Sequence, residues 1–411
     1  MWVSVAGLPL RLTLSAFSGA GRFCILSSGA ASWKDVPARN RRGLSDFQPQ
    51  LVPSQDFREL PSRVSKCRLP SRRYITNPTL AETVVQFLLG KRDGCNLFLE
   101  CNPGPGILTE ALLKRGVRVI ALESDKTFIP HLESLGKKLG GKLDVVHCDF
   151  FKLDPRSYLV VRPVVDSKVL FRHLEIKTLP WSKGIPLKVV GIFPNKNEKK
   201  VIWKFLHDVY SCTSLHRYGR VQLNFFINET DCQKIMASPQ NRRKYQALSV
   251  LWQVACEIEL LHKEPLSSFD VYTRSKQLAK LEYKDLVVCF TYRRDSLHEL
   301  LEQQIQQNLC LVRMTPRRDL FTRNLTPINY DVFFHMLKQC FMKRNAKLIN
   351  QLHSLSPVDA LEILKKIKQK ERTKVIEMYP LEFKQLFETI ECSKDYTCKW
   401  LYDDFMEDVV V

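Results

Sequence analysis

The residues best suited to chemistry in this sequence stand where apolar runs stop. Residues 101–106, Cys-Asn-Pro-Gly-Pro-Gly, make a tight turn between the apolar run 96–100 and the helical pattern Ile107, Leu108, Ala111, Leu112, Leu113. Glycines at such a turn let the backbone approach a ligand where a Cβ would clash, and the helix that follows offers unpaired N–H groups. The same turn also occurs in α/β proteins as plain punctuation. A second apolar run, 117–122, ends at Glu123, about twenty residues beyond the turn, where a carboxylate can accept hydrogen bonds from two ribose hydroxyls. A third, 143–148, ends at Asp149, placed to accept from an adenine amino group, although a lone Asp serves equally as a helix cap.

Three strand ends that share one ligand need an open parallel sheet, because ligands bind at the carboxyl edge of such sheets. The expected fold class is therefore α/β and Rossmann-like. The turn Glu100-Cys101-Asn102-Pro103-Gly104-Pro105-Gly106, with Glu123 and Asp149, resembles the S-adenosylmethionine motifs of the rRNA adenine-N6 dimethyltransferases, and Arg73-Tyr74-Ile75-Thr76 resembles their upstream motif. Ser249-Val250-Leu251-Trp252-Gln253 is similar to the helix after their catalytic strand, and the stretch from Phe341 through Met342, Lys343, Arg344 and Lys347 to Leu348 is similar to their C-terminal basic motif.

That resemblance implies a Rossmann-like S-adenosylmethionine methyltransferase domain over residues 71–310 and a small helical nucleic-acid-binding domain over 311–411. It implies S-adenosylmethionine as cofactor, held by Ile75, Glu100, Asn102, Gly104, Gly106, Glu123 and Asp149. Within the family the chain is similar to a mitochondrial branch that works in transcription. That likeness implies the mitochondrial RNA polymerase, a promoter-bending HMG-box protein and promoter DNA, above all its melted single strand, as partners. It also leaves small-subunit rRNA as a substrate.

The catalytic pattern of the family breaks at the fourth strand. Active members end it in Asn-Leu-Pro and an aromatic residue: the Asn orients the adenine amino group and the ring stacks on the flipped base. An amino nitrogen needs its lone pair aligned with the methyl group, and an extruded base has lost stacking worth a few kcal/mol. Here the strand at 187–191 continues as Ile192-Phe193-Pro194-Asn195, so Ile192 stands for the Asn and Asn195 for the ring. Ile192 cannot accept the amino hydrogen bond. Phe193 is left as the ring that could stack from the neighbouring position, and methyl transfer is expected to be weak or secondary. Asn102 also replaces the first glycine of the cofactor turn, and Asn is the non-glycine residue that best tolerates a left-handed backbone.

Between Asp331 and Asp359 there is no acidic residue, while Lys338, Lys343, Arg344 and Lys347 gather beside Phe333, Phe334 and Phe341. Lys343 and Lys347 are expected one helical turn apart, a repulsion that a phosphate backbone would relieve. Lys338, Phe341, Met342, Lys343, Arg344 and Lys347 are the candidate nucleic-acid contacts. Phe333, Leu337 and Phe341 follow four-residue steps and suit a core face as well. Arg313, Arg317, Arg318 and Arg323 are expected in a loop that extends the patch or is simply solvated, and the acidic segment 403–408 suits either masking of that surface or docking on a protein partner.

The whole chain of 411 residues has a net charge of +20, which draws polyanions. Its thirteen cysteines contain no C-x-x-C pair and no zinc-ligand spacing, as expected in a reducing compartment. Residues 1–34 carry no Asp or Glu, with Arg11 and Arg22 among Leu, Ser, Ala and Gly, the composition of a mitochondrial transit peptide over 1–22. A basic arm rich in Pro, Ser and Arg follows over 23–70 and is expected to stay flexible. No apolar stretch reaches the roughly 18 residues of a spanning helix, and the segment 274–307 suggests no function.

Overall fold

Strand-forming runs alternate with amphipathic helices from residue 72 onward, and they build one mixed sheet with helices on both faces. The structure, a computed structural model, describes residues 72–90, 94–140, 142–155, 166–194, 198–272, 278–279, 307–393 and 399–401. The expected transit peptide, basic arm, Asn195, most of segment 274–307 and the acidic segment 403–408 lie outside the described residues.

The main sheet has seven strands: β2 (Leu97–Cys101), β3 (Arg118–Glu123), β4 (Leu143–His147), β5 (Lys188–Ile192), β6 (Gln222–Asn228), β7 (Cys256–Pro265) and β10 (Asn308–Pro316). Their order across the sheet is β4-β3-β2-β5-β6-β10-β7. Neighbours from β4 to β6 pair in parallel, and β10 runs antiparallel to both β6 and β7. A separate small sheet joins β1 (Arg72–Tyr74), β8 (Asp270–Tyr272) and β9 (Leu278–Ala279) in the order β1-β8-β9. The connections leave β2 toward β3 and β4 on one side and toward β5 and β6 on the other. The carboxyl end of β2 is thus the switch point where open α/β sheets bind ligands.

Strand periodicity decides which side chain meets which layer. Phe98, Val119, Val190, Phe226 and Leu311 point to one face, where α1 (Pro78–Leu89) and α2 (Ile107–Lys114) supply Leu80, Val84, Leu108 and Leu112. Their neighbours Leu99, Ile120, Val189, Phe225 and Cys310 point to the other. There α5 (Glu198–Tyr210) and α7 (Ala247–Ala255) supply Phe205 and Trp252. The smaller helices α3 (Ile129–Lys138), α4 (Ser167–His173) and α6 (Glu229–Ile235) complete the connections.

Four later helices close the described chain: α8 (Tyr330–Met342), α9 (Leu348–Leu355), α10 (Ala360–Lys366) and α11 (Pro380–Glu391). They continue the second core layer rather than standing apart from it: Phe333, Met336, Leu337, Leu352 and Phe387 belong to the same buried cluster as Phe225 and Trp252. Phe334 meets Tyr210 at 4.9 Å and Phe333 meets Phe387 at 5.3 Å. The sheet itself runs on to Pro316, across residue 310. No helix among the described residues is long and apolar enough to cross a membrane.

Candidate functional site

The turn after β2 is held by its own backbone. Asn102 takes φ +52° and donates its N–H to the Leu122 carbonyl at 2.8 Å, while the Ser124 hydroxyl donates to its side chain. Gly104 (φ +61°) and Gly106 (φ +77°, the N-cap of α2) occupy the left-handed region that side chains resist. A Cβ on Gly104 would stand 2.2 Å from the Tyr74 ring, so glycine here answers both to backbone angle and to contact.

Glu123, fully buried at the end of β3, accepts from the N–H of Gly104 at 2.8 Å and of Asp125 at 2.7 Å. Burial pushes its carboxyl up, and those two N–H donors hold it partly back. Asp149 follows β4 and accepts from the N–H of Phe151, which makes it the cap of a 3-10 turn as well as a strand-end carboxylate. The Arg72 guanidinium, from β1, meets its other oxygen at 3.1 Å. Ile75 is buried against α1 and α2. Glu100 points inward instead: it is buried, the Thr109 hydroxyl of α2 donates to it at 2.7 Å, and burial raises its carboxyl to about 7.

The structure brings together the expected cofactor residues Ile75, Glu100 and Asn102 around one crevice with Tyr74, Gly191 and Ile192. Glu123 and Gly104 close the turn beside it. The donor chemistry fits an adenosine-type ligand: one carboxylate at each of two adjacent parallel strand ends, and a positive-φ turn whose Cβ positions must stay empty. The residues that would hold S-adenosylmethionine are Glu123 for the ribose and Asp149 for the adenine. The space is small. The cavity is about 20 Å³, room for about one water, where ligand pockets run to several hundred Å³. The Tyr74 ring stands over Gly104, and Arg72 is paired with Asp149.

At the fourth strand end Ile192 lines this crevice with an aliphatic side chain. Phe193, expected as a stacking ring, is not one. It is 5 % exposed and packs against Phe225 at 4.7 Å, Phe205 at 5.8 Å and Phe151 at 6.0 Å, with its N–H given to the Phe226 carbonyl. Period-two alternation is the cause: with Ile192 turned to the crevice, Phe193 must turn to the opposite core. Pro194 is half-buried at the strand's exit.

The C-terminal basic motif folds differently from expectation. Lys338 and Met342 lie exposed on α8, but the helix stops at Met342, so Lys343 and Lys347 are not one helical turn apart. The intervening residues form a turn pinned to the distant segment 373–376, which enters a 3-10 turn at Val375: Ile376 donates to the Arg344 carbonyl, Val375 to Ala346, and Leu348 to Thr373. Those tertiary bonds replace the helical ones that residues 343–347 would have made. Lys347 then faces Lys374 across an antiparallel bridge. Phe341 packs between Tyr245 (5.6 Å) and Phe383 (5.5 Å) as a rim-of-core ring. Arg313 does not extend the patch. It is buried in β10, bonded to Glu259 and to the Phe87 carbonyl, because an inward strand position needs its charge paired.

Sequence reasoning missed a second basic segment. Arg242, Arg243 and Lys244, exposed in the loop before α7, reach the motif through the Arg344 guanidinium, which donates to the Arg242 carbonyl at 3.2 Å. One carboxylate enters this surface, Glu377, paired with Arg242 at 3.3 Å. The run Asn241-Arg242-Arg243-Lys244 was visible as a signal, but its adjacency to Lys343 and Arg344 is a product of the fold.

The sheet order and the switch-point turn after β2 are those of the Rossmann-like methyltransferase fold. The chain belongs to the ribosomal RNA adenine dimethylase family, whose model matches residues 71–391. It is 57 % identical to the mitochondrial dimethyladenosine transferase 2 of Bos taurus over 100 % of both chains. It is 55 % identical to that of Homo sapiens over 99 % of this chain and 100 % of the relative. Among solved structures it is similar to a dimethyladenosine transferase from Plasmodium falciparum, with a TM-score of 0.47 and 17 % identity over 76 % of this chain and 95 % of that one.

Proposed function

We propose that this chain is a mitochondrial transcription initiation factor on a dimethyltransferase scaffold. It joins the mitochondrial RNA polymerase and a promoter-bending HMG-box protein at promoter DNA in the matrix nucleoid, helps melt the duplex and holds the displaced non-template strand. Methyl transfer is weak or secondary. The observation that carries this reading is the acceptor end of the crevice: the Ile192 side chain offers no hydrogen-bond acceptor to an adenine amine, and Phe193 is turned into the core. The basic surface of Arg242, Arg243, Lys244, Lys343 and Arg344 supports it, since single strands are held by basic grooves that follow the backbone. The polymerase and HMG-box partners rest on the sequence resemblance alone, and the mitochondrial location is supported by the names of the relatives.

A second reading is favoured by Glu123, Asp149, Gly104 and Gly106 being in place: an S-adenosylmethionine-dependent dimethyltransferase of adjacent adenosines in mitochondrial small-subunit rRNA. In that case S-adenosylmethionine supplies an electrophilic methyl group. Glu123 and Asp149 orient the donor, and the basic surface grips the splayed RNA.

Two assays separate the readings. In reconstituted run-off transcription with the polymerase and the HMG-box protein, Glu123→Gln and Asp149→Ala should transcribe nearly as well as the unaltered chain. With labelled S-adenosylmethionine and an rRNA hairpin carrying adjacent adenosines, turnover should fall far below that of a family member with an intact Asn-Leu-Pro-aromatic motif. Turnover equal to such an enzyme, together with transcription lost in the Glu123 and Asp149 variants, would establish the second reading instead.

A further inference from the structure

A cavity of about 230 Å³ lies between α6, the turn that follows it and the strand pair β7–β10, and it shares no lining residue with the cofactor crevice. Three sulfur atoms line it. Cys232 and Met236 come from one turn of α6 and its C-cap, and Cys310 comes from β10. The Cys232 sulfur is 3.7 Å from the Met236 sulfur. Cys310 lines the same cavity as Cys232, and the interaction between the two thiols lowers Cys310 and raises Cys232 from the ordinary thiol value. Both cysteines are free thiols, nearly sealed from solvent except through the cavity. Lys263, on β7, lines the same cavity and is paired with Glu229 at 2.8 Å.

The donor set narrows the ligand. No group of three His, Cys, Asp or Glu converges anywhere among the described residues, so hard and borderline ions lack their usual shell. Here a thioether completes the set, and thioethers are ligands for soft ions. With metal–sulfur bonds of about 2.3 Å, three sulfurs in a trigonal plane stand about 4 Å apart. The 3.7 Å between Cys232 and Met236 is already close to that spacing for this pair, and Cys310 faces the same cavity. Two thiolates around a monovalent ion leave one negative charge at the edge of a cavity that also holds the Lys263–Glu229 pair. A disulfide would need the two thiols alone and would give the Met236 sulfur no part.

We propose that Cys232, Cys310 and Met236 form a binding site for a soft monovalent d10 metal ion, of which Cu(I) is the natural probe. Binding forms three metal–sulfur bonds and releases the two thiol protons to solvent. No electron changes hands.

The test uses the full chain under anaerobic, reducing conditions, with Cu(I) delivered from a chromophoric Cu(I) chelator. The unaltered chain should withhold one equivalent more than Cys232→Ser/Cys310→Ser. Met236→Leu, at a position 38 % exposed where folding is least threatened, removes a ligand and should weaken that equivalent by at least the roughly tenfold that loss of an outer-shell partner alone costs. X-ray absorption of the loaded chain should show three sulfur scatterers. Equal retention by the unaltered and double-serine chains overturns the proposal. So does an unchanged affinity in Met236→Leu, or a mass spectrum in which Cys232 and Cys310 join as a disulfide and the extra equivalent never appears.

Discussion

Two buried carboxyls set the residue-scale behaviour of this chain. Burial raises Glu100 to about 7 despite the Thr109 hydroxyl, and it raises Glu198, bonded to Asn228, to about 7 as well. A carboxyl whose pKa is higher folded than unfolded takes up its proton preferentially in the folded chain. These groups therefore add stability as pH falls from about 7 toward the ordinary value of 4.5 and withdraw it as pH rises, at about 1.4 kcal/mol per unit of difference. Thermal unfolding followed between pH 5.5 and 8.5 should show the midpoint dropping with pH. Glu100→Gln should flatten that slope and gain most at pH 8.5, and a slope parallel to the unaltered chain's would refute the assignment. Gly104→Ala combines a left-handed backbone with a 2.2 Å approach to Tyr74. It should cost on the order of 1–3 kcal/mol in denaturant unfolding, and an unchanged midpoint would mean that β1 yields freely.

At the scale of elements, strands and helices near the cofactor turn were legible because each carries its own period and punctuation. The runs ending at Glu123 and Asp149 fold as β3 and β4, and the helix after Gly106 is α2. What the sequence concealed was non-local. The stretch 343–347 has ordinary helix formers, yet backbone bonds to 373–376 pull it into a turn, and no local pattern announces a partner thirty residues away. Arg313 read as part of a surface loop because charge is a surface signal, whereas its pairing with Glu259 and Phe87 is supplied by the sheet. The burial of Phe193 follows from which way β5 alternates, and residue type alone cannot fix that. The bridge between Lys347 and Lys374 sets like charges opposite one another. Lys374→Ala should therefore raise stability by a few tenths of a kcal/mol at low salt and by nothing measurable at 1 M. A gain that persists at high salt would point to some other cause.

For the whole molecule, the net charge of +20 matters through where it is concentrated. Replacing Arg242, Arg243, Lys343, Arg344 and Lys347 with Ala should weaken single-strand binding and reduce the slope of log affinity against log salt by about 0.7 for each phosphate no longer neutralised. An unchanged slope would place the nucleic acid elsewhere. The sheet carries another consequence. β10 is wedged between β6 and β7 although it comes some forty residues after β7 ends, so both neighbours keep an open edge until residue 316 has arrived. A chain delivered N-terminus first, through a ribosome or a translocation pore, must hold two unpaired strand edges in waiting, which is a state prone to self-association. A fragment ending at residue 307 should aggregate where one ending at 393 refolds, and sedimentation of the two after dilution from denaturant would reveal the difference.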